Sequence, residues 1–221
     1  MRQLTGCLPA GVATPGDAAR RDLAERLGQW LNVADAIALS SALPSVAAVG
    51  ARAAAQPARP PVRADALRAE LDRVRVVLTQ SITARDSRHK PDPTAPDSEF
   101  ALALQRHHEQ QRRMELAVDA LRGHVRQTLA KATPRLAQLA ALDAVLDQML
   151  TGREQRLLNH LPAFLKARFN QLRPPAATDT PSDPRWLLGF HAELDQTLLA
   201  ELDHRLQPVV GMIEALESAD A

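Results

Sequence analysis

The sequence predicts an all-α protein, arranged as an elongated helical bundle with a long helical hairpin and proline-rich linkers. Three observations predict this fold class. Apolar residues recur at helical spacing over long stretches, most clearly from Trp186 to Leu216. No strand-like alternation bounded by turn residues occurs anywhere. Prolines cluster in short polar or alanine-rich segments between the helical patterns, where they interrupt helices.

Residues 1–49 are predicted to form an N-terminal module of short helices. Asp17 can cap a first helix, whose apolar positions include Leu23, Leu27 and Trp30. A second helix is expected from about Ala34 to Leu43, because Pro44 follows it. Residues 50–63 mix alanine, arginine and proline, and this composition predicts a linker.

Residues 64–172 are predicted to form a long helical hairpin and bundle. A helix from Ala64 to about Arg85 carries a leucine-rich stripe, and closely spaced prolines then interrupt it. A longer helix should begin near Asp97 and reach about Lys131. Its middle is so polar that we expect it to project into solvent or to meet another chain.

Thr133 and Pro134 predict the start of the next helix, since Thr is a good N-cap and Pro suits the first turn. We expect this helix to end near Thr151. There Thr151 and Glu154 have the spacing of a capping box that opens a further helix, which Pro162 should kink.

The C-terminal helix is predicted at residues 185–221, after a linker at 173–184, and it should pack on the bundle. Its start resembles that of the helix predicted at Thr133 and Pro134, because Asp183 and Pro184 also combine a cap with a first-turn proline. Its stripe keeps step with an 11-residue period better than with a heptad. The stripe consists of Leu187, His191, Leu194, Leu198, Leu202, Arg205, Val209, Ile213 and Leu216.

Composition excludes several classes of function. The chain has 221 residues, only 3% aromatic side chains and one cysteine, Cys7, so neither an intrachain disulfide nor a cysteine-based zinc site can form within it. No glycine-rich phosphate-binding motif is present. We see neither a signal peptide nor a stretch approaching a membrane span, which predicts a cytoplasmic protein with no direct membrane insertion.

Charge is distributed unevenly, although the overall net charge is only +1. From Ala176 onward there are nine acidic and two basic residues, which gives this part a net charge of −7 and leaves +8 on the rest. The acidic end could pack against the basic body or face a basic partner.

Metal chemistry has one candidate pair. Glu201 and His204 have the Glu-x-x-His spacing that places both side chains on one helical face, as in di-iron bundles. Such a site needs a second pair, and no other histidine has a glutamate three residues before it. His107 and His108 point about 100° apart on a helix and cannot chelate one ion together. We therefore predict no catalytic, cofactor-binding or metal residue, and a metal enzyme remains an alternative.

Arginines on the long helix are the candidates for partner binding: Arg106, Arg112, Arg113, Arg122 and Arg126. The basic stretch 106–135 leaves open the alternative of a DNA-contacting effector. Against that alternative, acidic residues intervene and no aromatic side chains are interleaved for base stacking.

Three segments carry a family resemblance: residues 23–43, residues 139–173 and residues 198–216, with RLGQWL, AIALS, GRE and AELDHRLQPV as their most specific features. They resemble an uncharacterised bacterial family, domain of unknown function 3348. That resemblance implies no catalytic residues. It implies an accessory subunit of type III Zorya-like anti-phage systems, with a stator-like membrane motor protein and a second helical accessory protein as partners. We therefore expect a non-enzymatic helical interaction subunit.

Overall fold

The computed structural model describes residues 33–56, 63–84, 91–174 and 184–220, and this part of the chain contains six α-helices and no strand. The prediction of an all-α helical bundle is confirmed. The helices are α1 Val33–Ala54, α2 Ala64–Thr83, α3 Pro96–Leu129, α4 Pro134–Leu158, α5 Leu161–Leu172 and α6 Arg185–Asp220.

Helix α1 is longer than predicted, and the expected end before Pro44 is wrong. The helix continues through Pro44 to Ala54, so the first residues of the predicted linker are also helical. A proline inside a helix removes one backbone hydrogen bond, and the alanine-rich turns on both sides sustain the helix across it. The helix predicted around Asp17 and Trp30 lies outside the described residues.

The continuity of α1 also corrects the expectation that nothing approaches a membrane span. This helix has 22 residues. An 18-residue window within it has a mean hydropathy of 1.5, and 11% of the residues in that window are buried. By length and composition it could cross a bilayer. No other helix in the described ranges meets that test. The expectation rested on a helix that stopped before Pro44 and was therefore too short to span a membrane.

Helices α2 and α3 begin and end close to their predicted limits. The polar middle of α3, however, does not project into solvent. A continuous stripe of α3 is buried at helical spacing: Ala103, His107, Met114, Val118, Leu121, Val125 and Leu129. The polar residues occupy the remaining faces of the helix. The stripe is narrow and contains a histidine, which is why the sequence gives a weak amphipathic signal here.

Helix α4 starts as predicted, since the backbone N–H of Leu136 donates to Oγ1 of Thr133 at 3.3 Å. The capping box predicted at Thr151 is wrong. The helix continues to Leu158, and the Thr151 hydroxyl donates to the Asp147 carbonyl at 2.6 Å inside it. Pro162 does not kink a helix; it stands in the first turn of α5, where its missing N–H removes no hydrogen bond.

The predicted C-terminal stripe is confirmed. Seven of its members are buried: Leu187, Leu194, Leu198, Leu202, Val209, Ile213 and Leu216. His191 and Arg205 are half-buried. Pro208 lies inside α6. The expected cap residue Asp183 falls outside the described residues.

The chain divides into two compact units. Among the described residues, those within 33–63, 124–152 and 212–220 form the first unit, and those within 64–123 and 153–211 form the second. In the first unit, Arg126 of α3 bridges two carboxylates of α4, Asp143 at 2.6 Å and Asp147 at 2.8 Å. These contacts join helices that are adjacent in sequence.

The second unit contains the aromatic core, in which Phe169 of α5 packs edge-on against Phe190 and Trp186 of α6 at 4.9 and 5.1 Å between ring centroids. Phe100 of α3 completes the cluster at 5.2 Å from Phe169. The ammonium group of Lys166 lies 4.3 Å from the centre of the Phe100 ring, a cation–π contact. This small cluster uses most of the aromatic side chains of the protein and fixes α5 against α3 and α6.

Candidate docking groove

A groove lies between α2 and α3 in the second unit, with a volume of about 400 Å³. Its α2 wall is formed by residues at helical spacing: Glu70, Arg73, Val74, Val77 and Leu78. Arg113 and Ala117 of α3 form the other wall. We call this the α2–α3 groove. Positions four and seven residues apart point to one side of a helix, so each wall is formed by a single side of its helix.

One large apolar side chain of the groove is exposed, and two more are exposed on the same two helices. Val77 is 60% exposed, and Leu116, next to Ala117 on α3, is 65% exposed. Val76 is also exposed, but it points to another side of α2. Single exposed apolar residues are ordinary, and one that lines a groove is a candidate contact for another molecule.

Cationic groups flank this apolar floor. Arg113 donates to the hydroxyl of Ser81, which in turn donates to Oε1 of Gln110 at 3.0 Å. Arg73 donates through Nε to the carbonyl of Ala69 at 3.3 Å. Both guanidinium groups are thereby held near the groove by neutral acceptors. The groove therefore combines an apolar floor with two positioned positive charges and one acidic residue, Glu70.

The five arginines predicted to bind a partner separate into two groups. Arg106 pairs with Asp195 of α6 at 2.8 Å and also donates to the carbonyl of Ile82. Arg126 bridges α4 as described, and Arg122 is half-buried. Arg112 and Arg113 are exposed. The structure therefore brings only Arg113 into the groove, with Arg112 beside it in sequence, and the basic stretch does not form one continuous exposed cationic surface.

The Glu-x-x-His pair does not form a site in which both side chains converge. Glu201 is 3% exposed and accepts from Nε of Arg205 at 2.9 Å and from Nε2 of Gln111 at 3.1 Å. His204 is exposed. No cluster of three or more potential metal-ligating side chains occurs in the described ranges. Glu201 belongs instead to a buried polar contact between α3 and α6.

His107 lies on the same helix as Arg106 and Gln111, and it is fully buried. Neither ring nitrogen has a hydrogen-bond partner among the residues that the structure describes. Burial, and secondarily the positive charge that His108 can carry, lowers the pKa of His107 to about 4. The imidazole is therefore neutral at physiological pH.

Sequence reasoning missed the α2 wall of the groove. The available signal was the run Val74, Val76 and Val77 on a helix whose buried stripe is set by Leu71 and Leu78. Val76 and Val77 are off that stripe, and apolar residues off the buried stripe of a polar helix are candidates for a second contact.

The comparisons with known proteins give the family and nothing more specific. The model of the family described as "Protein of unknown function (DUF3348)" matches residues 3–218. The chain therefore belongs to this family, as its sequence resemblance implied. No curated protein and no solved structure matches the chain.

Proposed function

We propose that the protein is a non-enzymatic helical interaction subunit whose α2–α3 groove binds an amphipathic helix of a partner protein. One observation carries this proposal: the exposed apolar side chain of Val77 lies in a groove flanked by Arg73 and Arg113. An apolar groove between two helices is a common receptor for the apolar face of a third helix.

The dimensions of the groove fit a short helix. From Glu70 to Leu78 the α2 wall extends for about 12 Å, or roughly two helical turns. A partner helix would place side chains at one-turn intervals against Val74 and Val77. Burying one such aliphatic contact stabilises association by about 1.5–3 kcal/mol before the entropic cost of binding.

The charges of the groove favour a partner helix with acidic residues at the edges of its apolar face. Arg73 and Arg113 are held by neutral acceptors within the described region, so their charges remain available for carboxylates. Arg112, which precedes Arg113 in sequence, is a further exposed cation of α3. Charges at a rim contribute mainly to orientation and association rate, and the apolar contacts supply most of the affinity.

The identity of the partner is suggested by the family resemblance. Within a type III Zorya-like anti-phage system, the protein would act in the cytoplasm as an accessory subunit. It would bind the cytoplasmic part of a stator-like membrane motor protein or a second helical accessory protein. Either protein could supply the acidic amphipathic helix. The alternative of DNA binding is less well supported, because Arg106 and Arg126 are engaged with internal carboxylates.

A charge reversal tests the proposal. Arg112→Glu with Arg113→Glu should weaken association with the co-expressed partner by tenfold or more at low salt, while the circular dichroism spectrum stays helical. Arg135→Glu is the matched control, since Arg135 is exposed on α4 in the other unit. Binding should also weaken as salt rises, because the Debye length is about 8 Å at physiological ionic strength.

Val77→Glu separates the apolar contribution from the charge contribution. It should reduce binding even at high salt, where the arginines are screened. If both groove variants bind the partner as tightly as the native protein, the groove is not the docking site. If the double arginine variant loses affinity only for double-stranded DNA, the DNA-contacting alternative replaces this proposal.

A further inference from the structure

Three helices belong to both compact units, and each of them has a glycine at the boundary. Gly123 of α3 and Gly211 of α6 are the last residues of the second unit before the first begins. Gly152 of α4 is the last residue of the first unit before the second begins. The remaining crossing among the described residues lies between residues 63 and 64, where α2 begins and no helix is interrupted.

Packing does not require glycine at these three positions. A Cβ placed on Gly123, Gly152 or Gly211 would meet no described atom within 4 Å beyond its own stretch of helix. Gly50 of α1 is the contrasting case, since a Cβ there would lie 2.6 Å from Cδ of Gln138. Glycine inside a helix is less favourable than alanine. The three boundary glycines therefore weaken their helices without a steric reason.

Helices α3 and α4 each have a second weak point close to the glycine. In α3, the hydroxyl of Thr128 donates to the carbonyl of His124 at 2.9 Å. In α4, the hydroxyl of Thr151 donates to the carbonyl of Asp147 at 2.6 Å. A threonine hydroxyl bound in this way competes with the backbone N–H for the same carbonyl, which slightly destabilises a helix and often bends it.

Helix α6 is weakened by a proline instead. Pro208 lies inside the helix, three residues before Gly211. Because proline has no N–H, the carbonyl of His204 receives no helical hydrogen bond from it. Sharp changes of helix direction occur mostly at proline or where the hydrogen-bond ladder is otherwise weakened. This third helix therefore has two weakening residues within one turn of the boundary.

We infer that Gly123, Gly152 and Gly211 form a hinge at which α3, α4 and α6 bend together. If only one helix had a weak point, the other two would resist bending, whereas weak points in all three allow it at low cost. Each unit keeps its own internal contacts during the motion: the ion pairs between α3 and α4 in the first unit, and the aromatic core in the second. The inference does not use the α2–α3 groove, so it stands independently of the proposed function.

The distance between spin labels in the two units measures this motion. The labels are attached to the full-length protein with Cys7→Ser, at Asp72→Cys of α2 and Arg135→Cys of α4, which are exposed positions in different units. A second pair, Asp72→Cys with Gln196→Cys of α6, lies within the second unit. Double electron–electron resonance should give a broad distance distribution for the first pair and a narrow one for the second.

Alanine substitution of the hinge should narrow the first distribution about twofold or more, because alanine stiffens each helix. We call this triple substitution the hinge variant: Gly123→Ala, Gly152→Ala and Gly211→Ala. Pro208→Ala returns an N–H to α6 and should narrow the distribution by a smaller factor. Gly189→Ala is the matched control and should keep the native width, because Gly189 has equally open surroundings in α6 but lies away from the boundary.

Three outcomes would overturn the inference. In the first, the native distribution between the units is as narrow as that of the label pair within the second unit. In the second, neither the hinge variant nor Pro208→Ala narrows it, although both keep the native circular dichroism spectrum. In the third, Gly189→Ala narrows it as much as the hinge variant does, which would assign the effect to general stabilisation of the helices.

Discussion

Replacing His107 by leucine should stabilise the protein and remove part of its sensitivity to acid. The native side chain is fully buried, and its two nitrogens have no partners among the described residues. A neutral imidazole has one donor and one acceptor, and leaving a buried polar group unsatisfied costs roughly 1–3 kcal/mol. Leucine has a similar volume and no polar atom, so His107→Leu should gain at least about 1 kcal/mol at neutral pH.

The pH dependence has a definite sign. The pKa of His107 falls to about 4 in the folded protein, from an ordinary value of 6.5 in the unfolded chain. As pH falls below 6.5 the unfolded chain takes up a proton first, so folding stability decreases from about pH 6.5 to about pH 4. At pH 5 the loss from this group is about 2 kcal/mol. The leucine variant should lack this loss.

Urea denaturation at pH 7.5 and pH 5 measures both effects. The stability difference between His107→Leu and the native protein should grow by about 2 kcal/mol between the two pH values. Carboxylates such as Glu193, whose pKa is lowered by hydrogen bonding to Arg168, affect both proteins equally and cancel. His204→Leu, at an exposed position, is the control. An equal acid sensitivity of His107→Leu and the native protein would refute the assignment of a buried, neutral imidazole.

Two further stability predictions follow from the packing of α6. Leu198 has no exposed surface, so Leu198→Ala should lower the free energy of unfolding by roughly 2–5 kcal/mol in chemical denaturation; an unchanged midpoint would place this position outside the core. Glu201→Ala leaves Arg205 and Gln111 without their shared acceptor, so it should lower the free energy of unfolding by roughly 1–3 kcal/mol. His204→Ala should change the free energy of unfolding by less than about 0.5 kcal/mol in the same assay. Equal effects of the last two variants would contradict the buried contact.

Much of the helical architecture was predictable, because long leucine stripes and cap-plus-proline starts are local signals. The stripe of α6 and the start of α4 at Pro134 are confirmed. Predictions that ended a helix at a single residue were wrong. Pro44 and Thr151 both lie inside helices, because neighbouring turns compensate for one missing or competing hydrogen bond.

The candidate site was only partly predictable, since it depends on contacts between segments that are distant in sequence. Sequence spacing places Glu201 and His204 on one helical face, but the burial of Glu201 against Gln111 of α3 could not be read from that spacing. Similarly, nothing local shows that Arg106 pairs with Asp195 while Arg113 remains at the groove. The charge pattern alone predicted a set of candidate arginines, but not the residues with which each of them interacts.

The most direct test of the docking role is hydrogen exchange of the full-length protein, alone and bound to a partner co-purified through it. Binding should slow exchange in α2 around residues 70–78 and in α3 around residues 113–117, and Val77→Glu should abolish both the protection and the copurification. Leu188→Glu, at an exposed position of α6, should retain both. Partner-dependent protection confined to other helices, with undiminished copurification by the Val77→Glu variant, would contradict the assignment of the α2–α3 groove as the docking site.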